Sequence, residues 1–314
     1  MQFKKKLAIA IVEVGVIMSK LKLEGIFVPH ITPFNRDGEI DEGALRKLVQ
    51  FWVENGLSGL VTCGSNGEAP YLLREERRKL FEIVVDEAND KVSVIAGTGA
   101  MGTKETVQLT VDAKDVGADA ALVVTPFYFK HSSEELYAHY SAVLEAVDIP
   151  IVVYNVPKFT GFSLDPALVE RLTSEYSHVV GIKDSSGSFS QITELVRLVG
   201  DKISVLAGTA DLTLPTLMLG GKGAVIAVAN VAPKLCSEVY DAFKKGDREK
   251  ALEIQKVISY INEVLVIKHN QLAAIKEVLN IKGLPAGYPR KPTLPLKEKE
   301  REKVKQFMKK ICLN

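Results

Sequence analysis

"VSVIAGTGAMGTKETVQLTVDAKDVGADAALVVTPF" spans residues 92–127. It opens on an apolar run rich in β-branched residues, 92–99, and closes on a second, 120–127. Between them lies "TKETVQLTVDAKDV", 103–116, whose pattern has a helical period: Val107, Val111 and Lys114 share a face, with polar residues opposite. A strand, a helix and another strand in that order call for parallel pairing, because the chain must cross back before the second strand starts.

The same unit recurs along the chain. From Gly25 the apolar runs are "GIFVPHITPF" (25–34), "SGLVTCGS" (58–65), the two above, "PIVVYNVP" (150–157), "VVGIKDSS" (179–186), "ISVLAGTA" (203–210) and "GAVIAVAN" (223–230). Helix-like segments such as "EGALRKLVQFWVEN" and "REERRKLFEIVVDEA" separate them. Runs that are apolar throughout fit a sheet covered on both faces. Eight such units in a little over 220 residues predict a (β/α)8 TIM barrel over 23–246, in preference to an open doubly wound sheet. Residues 247–314 read as a C-terminal helical extension: "REKALEIQKVISYINEVLVI", "HNQLAAIKEVLNI", a Pro/Gly-rich link "KGLPAGYPRKPTLPL" and a charged helix "KEKEREKVKQFMKKI". Residues 1–22 read as a nonessential extension, with Met18 an alternative start. The apolar stretch after the basic opening is broken by Glu13 and is too short to span a bilayer, which takes about 20 residues.

Composition narrows the function. With 40 Lys+Arg against 39 Asp+Glu, the chain lacks the basic excess of a nucleic-acid binder. Cys63, Cys236 and Cys312 are too few and too scattered for a disulfide framework or a paired-cysteine zinc site, which implies a reducing, cytoplasmic setting. The five histidines form no metal-binding pair, and no Gly-rich cofactor fingerprint or P-loop occurs, so neither cofactor nor metal is expected. A membrane role is not expected either.

In a barrel of this kind the active site forms at the C-terminal ends of the strands. Lys183 is the only lysine inside any of the eight apolar runs and stands near the end of the sixth. Burial disfavours the charged form of an amine, and a neutral amine attacks a ketone to give a Schiff base. The competing readings are a snorkelling lysine and one paired with Asp184. Tyr154 ends the fifth run beside it and offers a phenol for proton transfer. Ser65 and Asn66, in "GSNGE", add a hydroxyl, an amide and a turn whose backbone N–H groups suit a carboxylate, although they are also plain turn residues. Tyr128 supplies a second phenol. An amine, phenols, a hydroxyl and an anion-accepting turn suit covalent catalysis on a 2-oxo acid.

Five pieces in order, "GSNGE" (64–68), "TPFY" (125–128), "YNVPKFTG" (154–161), "GIKDSSG" (181–187) and "GGKGAVIAVAN" (220–230), resemble the dihydrodipicolinate synthase/N-acetylneuraminate lyase (DapA-like) superfamily of pyruvate-dependent class I aldolases. The resemblance runs from about Leu23 to the C-terminus. It implies that Lys183 forms the imine with pyruvate and that Tyr154 is the general acid/base. It implies that Ser65 relays protons, and that Tyr128 completes the relay from a neighbouring subunit. The Ser65–Asn66 backbone would hold the pyruvate carboxylate and the Val225 carbonyl would face the imine. The implied assembly is a homotetramer, a dimer of dimers.

Two departures bear on the substrate, and a third implies that the feedback site for free lysine is absent. Phe159 stands where the synthases carry the arginine that binds the aldehyde's carboxylate, and a phenyl ring cannot form that bidentate pair, although Lys158 is next to it. Asn66 stands where they carry threonine. Met101, Arg74 and Arg77 stand where lysine-regulated members have asparagine and histidines. Asp211 falls where sialic-acid lyases place an acid that contacts sugar hydroxyls, or else caps the helix "LTLPTL". The expectation from the residues is therefore a lyase joining or cleaving pyruvate and an aldehyde, with a 2-oxo-3-deoxy sugar acid or 4-hydroxy-2-oxo acid as substrate. The alternative activity is that of a 4-hydroxy-tetrahydrodipicolinate synthase. A non-catalytic oxo-acid sensor and a phosphate-binding isomerase are readings from other classes. A binder needs no nucleophile, and "GTAD" and "NVAP" make poor phosphate loops.

Overall fold

The computed structural model describes residue 21 and residues 23–311. The proposed extension before Leu21, with Met18, and Cys312 lie outside the described residues. Eight parallel strands close into one barrel in sequential order. They are β1 (Gly25–Pro29), β2 (Gly59–Thr62), β3 (Ser93–Gly97), β4 (Ala120–Val124), β5 (Ile151–Asn155), β6 (Val179–Asp184), β7 (Ser204–Ala207) and β8 (Gly223–Val225). Each is followed by a helix: α1 (Glu42–Glu54), α2 (Arg74–Ala88), α3 (Thr103–Asp115), α4 (Ser133–Ala146), α5 (Pro166–Glu175), α6 (Phe189–Val199), α7 (Thr213–Met218) and α8 (Pro233–Lys244). This is the (β/α)8 barrel that the repeated units imply. Every strand is shorter than the apolar run that announced it, and the surplus at the C-terminal end becomes the loops of the site.

Local chemistry sets the element boundaries. Asp41, Ser132, Asp165 and Ser188 cap α1, α4, α5 and α6 through side-chain oxygens that accept backbone N–H groups. Glu135 closes a capping box with Ser132. Helix α3 corrects the sequence reading. It buries Thr106, Leu109, Thr110, Asp112 and Ala113, whereas Val111 and Lys114 are exposed. The threonines settle the face: Thr110 donates to Thr98 Oγ1 at 2.9 Å or to the Thr106 carbonyl at 2.7 Å, so its hydroxyl can be buried next to β3.

Alternate residues of neighbouring strands fill the barrel interior. Phe27, Val61, Ile95, Leu122, Val152, Tyr154, Leu206 and Val225 form one buried cluster. The opposite faces of the strands pack against the helix ring. Gly97 shows how tight the wall is: a Cβ there would lie 2.2 Å from the Cys63 carbonyl oxygen.

The C-terminal part adds α9 (Arg248–Asn262), a π-helical turn over Glu263–Ile267, α10 (Gln271–Ile281) and α11 (Glu298–Lys310). These helices share a core with the barrel: Ile275, Val278 and Leu279 of α10 are buried in the same cluster as Leu45 and Trp52 of α1. Among the described residues, no helix is long and apolar enough to cross a membrane.

Candidate active site

Lys183 is the penultimate residue of β6, paired with Tyr154 of β5 on one side and Leu206 of β7 on the other. In-register parallel neighbours point to the same face, so the lysine shares the barrel interior with that phenol and that leucine. It is 3% exposed. Its Nζ lies 4.1 Å from the centroid of the Tyr154 ring, and among the described residues it has no hydrogen-bond or ion-pair partner. The adjacent carboxylate is committed elsewhere. Asp184 Oδ2 accepts from Asn155 Nδ2 at 2.7 Å and Gln191 Nε2 at 3.1 Å, and its Oδ1 accepts from the Ser186 backbone N–H and hydroxyl. Neither competing reading of Lys183 matches this arrangement: the amine does not reach into bulk water and is not tied to Asp184.

A cavity of about 530 Å³ opens at this end of the barrel. Ser65 and Tyr154 both line it, with the Ser65 hydroxyl 3.5 Å from the Tyr154 hydroxyl. Lys183 is not itself part of its wall and lies against Tyr154, which is. Val124, Val156 and Leu122 make the wall apolar near the phenol. Lys158 and Phe159 stand on the helical turn Pro157–Thr160 and line the mouth.

The turn 64–68 is held in a demanding conformation. Cys63 just before it has φ 51° and Glu68 φ 61°, both left-handed for non-glycine residues. Such conformations persist where the surroundings hold them, and they cluster at functional sites. Here α10 does the holding. Lys276 Nζ donates to Glu68 Oε1 at 2.5 Å, with side-chain exposures of 1% and 0%. Glu68 Oε2 accepts the Arg290 backbone N–H at 2.8 Å, and Lys276 also donates to the Tyr288 carbonyl at 2.7 Å. Burial pulls the Lys276 amine down to about 8 against the attraction of Glu68. One helical turn earlier, Gln271 Nε2 donates to Asn66 Oδ1 at 2.8 Å.

The remaining sequence-designated residues are dispersed. Tyr128 has φ 85°, an outlier for an aromatic residue, and is 83% exposed, stacked edge-on against Phe129 away from the cavity lining. Val225 is buried in the barrel interior and is not part of the lining. Asp211 lies in a short 3-10 turn outside the lining and accepts from Asn262 Nδ2 at 2.8 Å. It is not the cap of α7, whose capping position is Leu212. Arg74 and Arg78 converge on Asp112, and buried Arg77 donates to the carbonyls of Ala69 and Gly99 behind the cavity. Reading the sequence missed His269, Asn270, Gln271 and Thr293, which close the cavity from the C-terminal part. The one local signal for them was the break between "LVI" and "QLAA", where a helix ends on a π-helical turn.

A model of the dihydrodipicolinate synthetase family matches residues 22–311. The 4-hydroxy-tetrahydrodipicolinate synthase of Methanocaldococcus jannaschii is 40% identical over 290 residues, 92% of this chain and 99% of that protein. That of Methanothrix thermoacetophila is 42% identical over 288 residues, 91% and 96% of the two chains. Among solved structures, dihydrodipicolinate synthase from Aquifex aeolicus superposes with a TM-score of 0.89 at 37% identity, covering 93% of this chain and 99% of that one. YagE, a prophage protein of the same family from E. coli K12 in complex with pyruvate, superposes with a TM-score of 0.90 at 31% identity, covering 94% and 100%. In length, fold and sequence alike, this chain belongs to the dihydrodipicolinate synthetase family.

Proposed function

We propose that the protein is a class I lyase that joins pyruvate to an aldehyde through an imine on Lys183, acting as a 4-hydroxy-tetrahydrodipicolinate synthase on aspartate semialdehyde. The observation that carries the chemistry is a buried amine with no carboxylate on it, against the ring of a phenol whose hydroxyl faces Ser65. The Lys183 nitrogen attacks the pyruvate ketone and water leaves, giving the iminium. Loss of a methyl proton gives the enamine, whose carbon attacks the aldehyde. Tyr154 delivers the proton to the new alkoxide and Ser65 passes protons on; attack of the semialdehyde's own amine on the imine carbon then closes the ring and expels the Lys183 amine, which frees the enzyme. Backbone N–H groups at Ser65–Asn66 receive the pyruvate carboxylate, and the Val225 carbonyl faces the imine.

The names of the relatives favour aspartate semialdehyde over the sugar-acid substrate expected from the residues alone. The position of Asp211, outside the cavity lining and bonded to Asn262, removes the feature that pointed to a polyol tail. A 4-hydroxy-2-oxo acid remains the second reading, on one observation: Phe159 lines the mouth at the position of the family's arginine. Tyr128, exposed and strained, is suited to entering the site of a second copy, so a homo-oligomer built as a dimer of dimers is part of the reading. Cys63 and Cys236, both free and buried, agree with action in the cytoplasm.

Pyruvate consumption with a panel of aldehydes tests the reading. Turnover is expected to be fastest with aspartate semialdehyde. A clear preference for glyoxylate or for a polyhydroxy aldehyde would transfer the assignment to the second reading or to the sugar-acid substrate.

A further inference from the structure

We infer that Lys158 receives a carboxylate on the aldehyde partner and, through Gln271, turns Asn66 to donate to the carboxylate of pyruvate. The inference rests on the imine reading above and names how the same cavity selects its second substrate.

The argument begins with what a lysine can do. An ammonium only donates, so the atom of Gln271 that meets Lys158 Nζ at 3.2 Å must be the amide oxygen. The amide nitrogen of Gln271 then faces Asn66, where it donates at 2.8 Å, so Asn66 must present its own oxygen. That leaves Asn66 Nδ2, which has no partner among the described residues, as a donor. One cation at the mouth thus orients two amides in series, and a neutral bridge holds both without neutralising either.

Charge at the cavity points the same way. Among the lining residues Glu68 is the carboxylate, and it is spent on Lys276 and the Arg290 backbone. Arg77 is buried and bonded to carbonyls. Lys158 is the exposed cation of the lining and has no carboxylate partner among the described residues. Its Nζ lies 5.4 Å from the Phe159 ring centroid, so a phenyl face backs the ammonium without competing for its protons. A positive mouth above an apolar wall suits an aldehyde that carries a carboxylate away from its reacting carbon. Gln271 is a positioning residue here; Lys158 sets specificity.

The test compares succinic semialdehyde with its uncharged counterpart butyraldehyde, using pyruvate and the intact protein, for wild type, Lys158→Met, Lys158→Arg, Gln271→Leu and Gln271→Glu. Wild type is expected to prefer the carboxylated aldehyde. Lys158→Met should raise its KM about 10–100-fold, the worth of a hydrogen bond to a charged group, and raise KM for pyruvate by a smaller factor, because Gln271 and Asn66 lose the cation that orients them. Lys158→Arg should restore most of the preference. Gln271→Glu should raise KM for both pyruvate and the carboxylated aldehyde, and by more than Gln271→Leu, because a carboxylate neutralises Lys158 and turns Asn66 to donate toward it. A merely structural role would cost the two Gln271 variants alike. An unchanged preference in Lys158→Met, equal losses in the two Gln271 variants, or no wild-type preference would each overturn the inference, as would turnover of neither aldehyde. Borohydride trapping of pyruvate on each variant separates the outcomes: adduct formation with no role for Lys158 sinks this inference alone, and no adduct sinks the imine reading beneath it.

Discussion

The buried pair Glu68–Lys276 offers the sharpest energetic test, because it ties the turn of the site to α10 across 208 residues of sequence. Both side chains are at most 1% exposed. Removing one partner of such a pair costs about 3–5 kcal/mol, because the other charge is left in a poor solvent. The ceiling can be worked out for Glu68→Gln. The stranded ammonium can escape by losing its proton, and because Lys276 is already pulled down to about 8, that escape at pH 7 costs about 1–1.5 kcal/mol and not the ~4.6 kcal/mol of a lysine at its reference value. The amine also loses the carboxylate as an acceptor, a further ~1–2 kcal/mol, so the single variant should lose about 2–3.5 kcal/mol. In Glu68→Gln/Lys276→Met both charges are gone and the amide oxygen can still accept the Arg290 N–H, so the double variant should lose less than the two singles combined by at least ~2 kcal/mol. Equilibrium urea unfolding at pH 7 of the four proteins reads this directly. Singles that add to within ~0.5 kcal/mol, or a Glu68→Gln loss below ~1 kcal/mol, would show that the pair does not brace the turn.

Further outcomes follow from the same geometry. Tyr154→Phe keeps the ring against Lys183 and removes the hydroxyl that faces Ser65, so turnover should fall about 10²–10⁴-fold with the fold intact; a near-native rate would remove the tyrosine from proton transfer. Burial holds His30 and His139 down to about 4, with nearby His131 adding to the effect at His139. Between an unfolded value near 6.5 and that folded value, the unfolded chain binds protons that the folded one does not. Stability should therefore be full above about pH 6.5 and fall with pH toward 4, by at most ~3 kcal/mol per histidine. In His139→Gln the drop should be smaller, and urea midpoints with unchanged pH dependence would contradict that. Gly97→Ala forces a methyl group to 2.2 Å from the Cys63 carbonyl and should raise KM for pyruvate by moving the following turn; unchanged kinetics and stability would show that the wall gives way at no cost.

Much of this was legible in the sequence because barrels repeat. Eight buried strands must be apolar along their length, and the crossover helices must have a period, so the order of elements shows in any one unit. Lys183 was legible for the same reason, as a charge where the strand pattern forbids one. Patterning failed on α3, where threonines that satisfy their own hydroxyls occupy the buried face and Val111 faces solvent. It also failed wherever function depends on contacts between distant segments. Nothing around Gln271 or Lys276 announces that they reach Asn66 and Glu68 more than 200 residues earlier. Asp211 looked like a ligand or a cap because both uses favour aspartate, and its bond to Asn262 depends on how α9 packs. The positive φ of Tyr128 leaves no trace in composition.

The central claim is that the Lys183 nitrogen becomes covalently bonded to pyruvate. Borohydride reduction of the protein with pyruvate, followed by peptide mapping, measures it most directly. The account requires a reduced N-carboxyethyl group on the peptide carrying Lys183, absent from Lys183→Ala and from samples without pyruvate. An unmodified Lys183 under conditions where pyruvate is being consumed would contradict it.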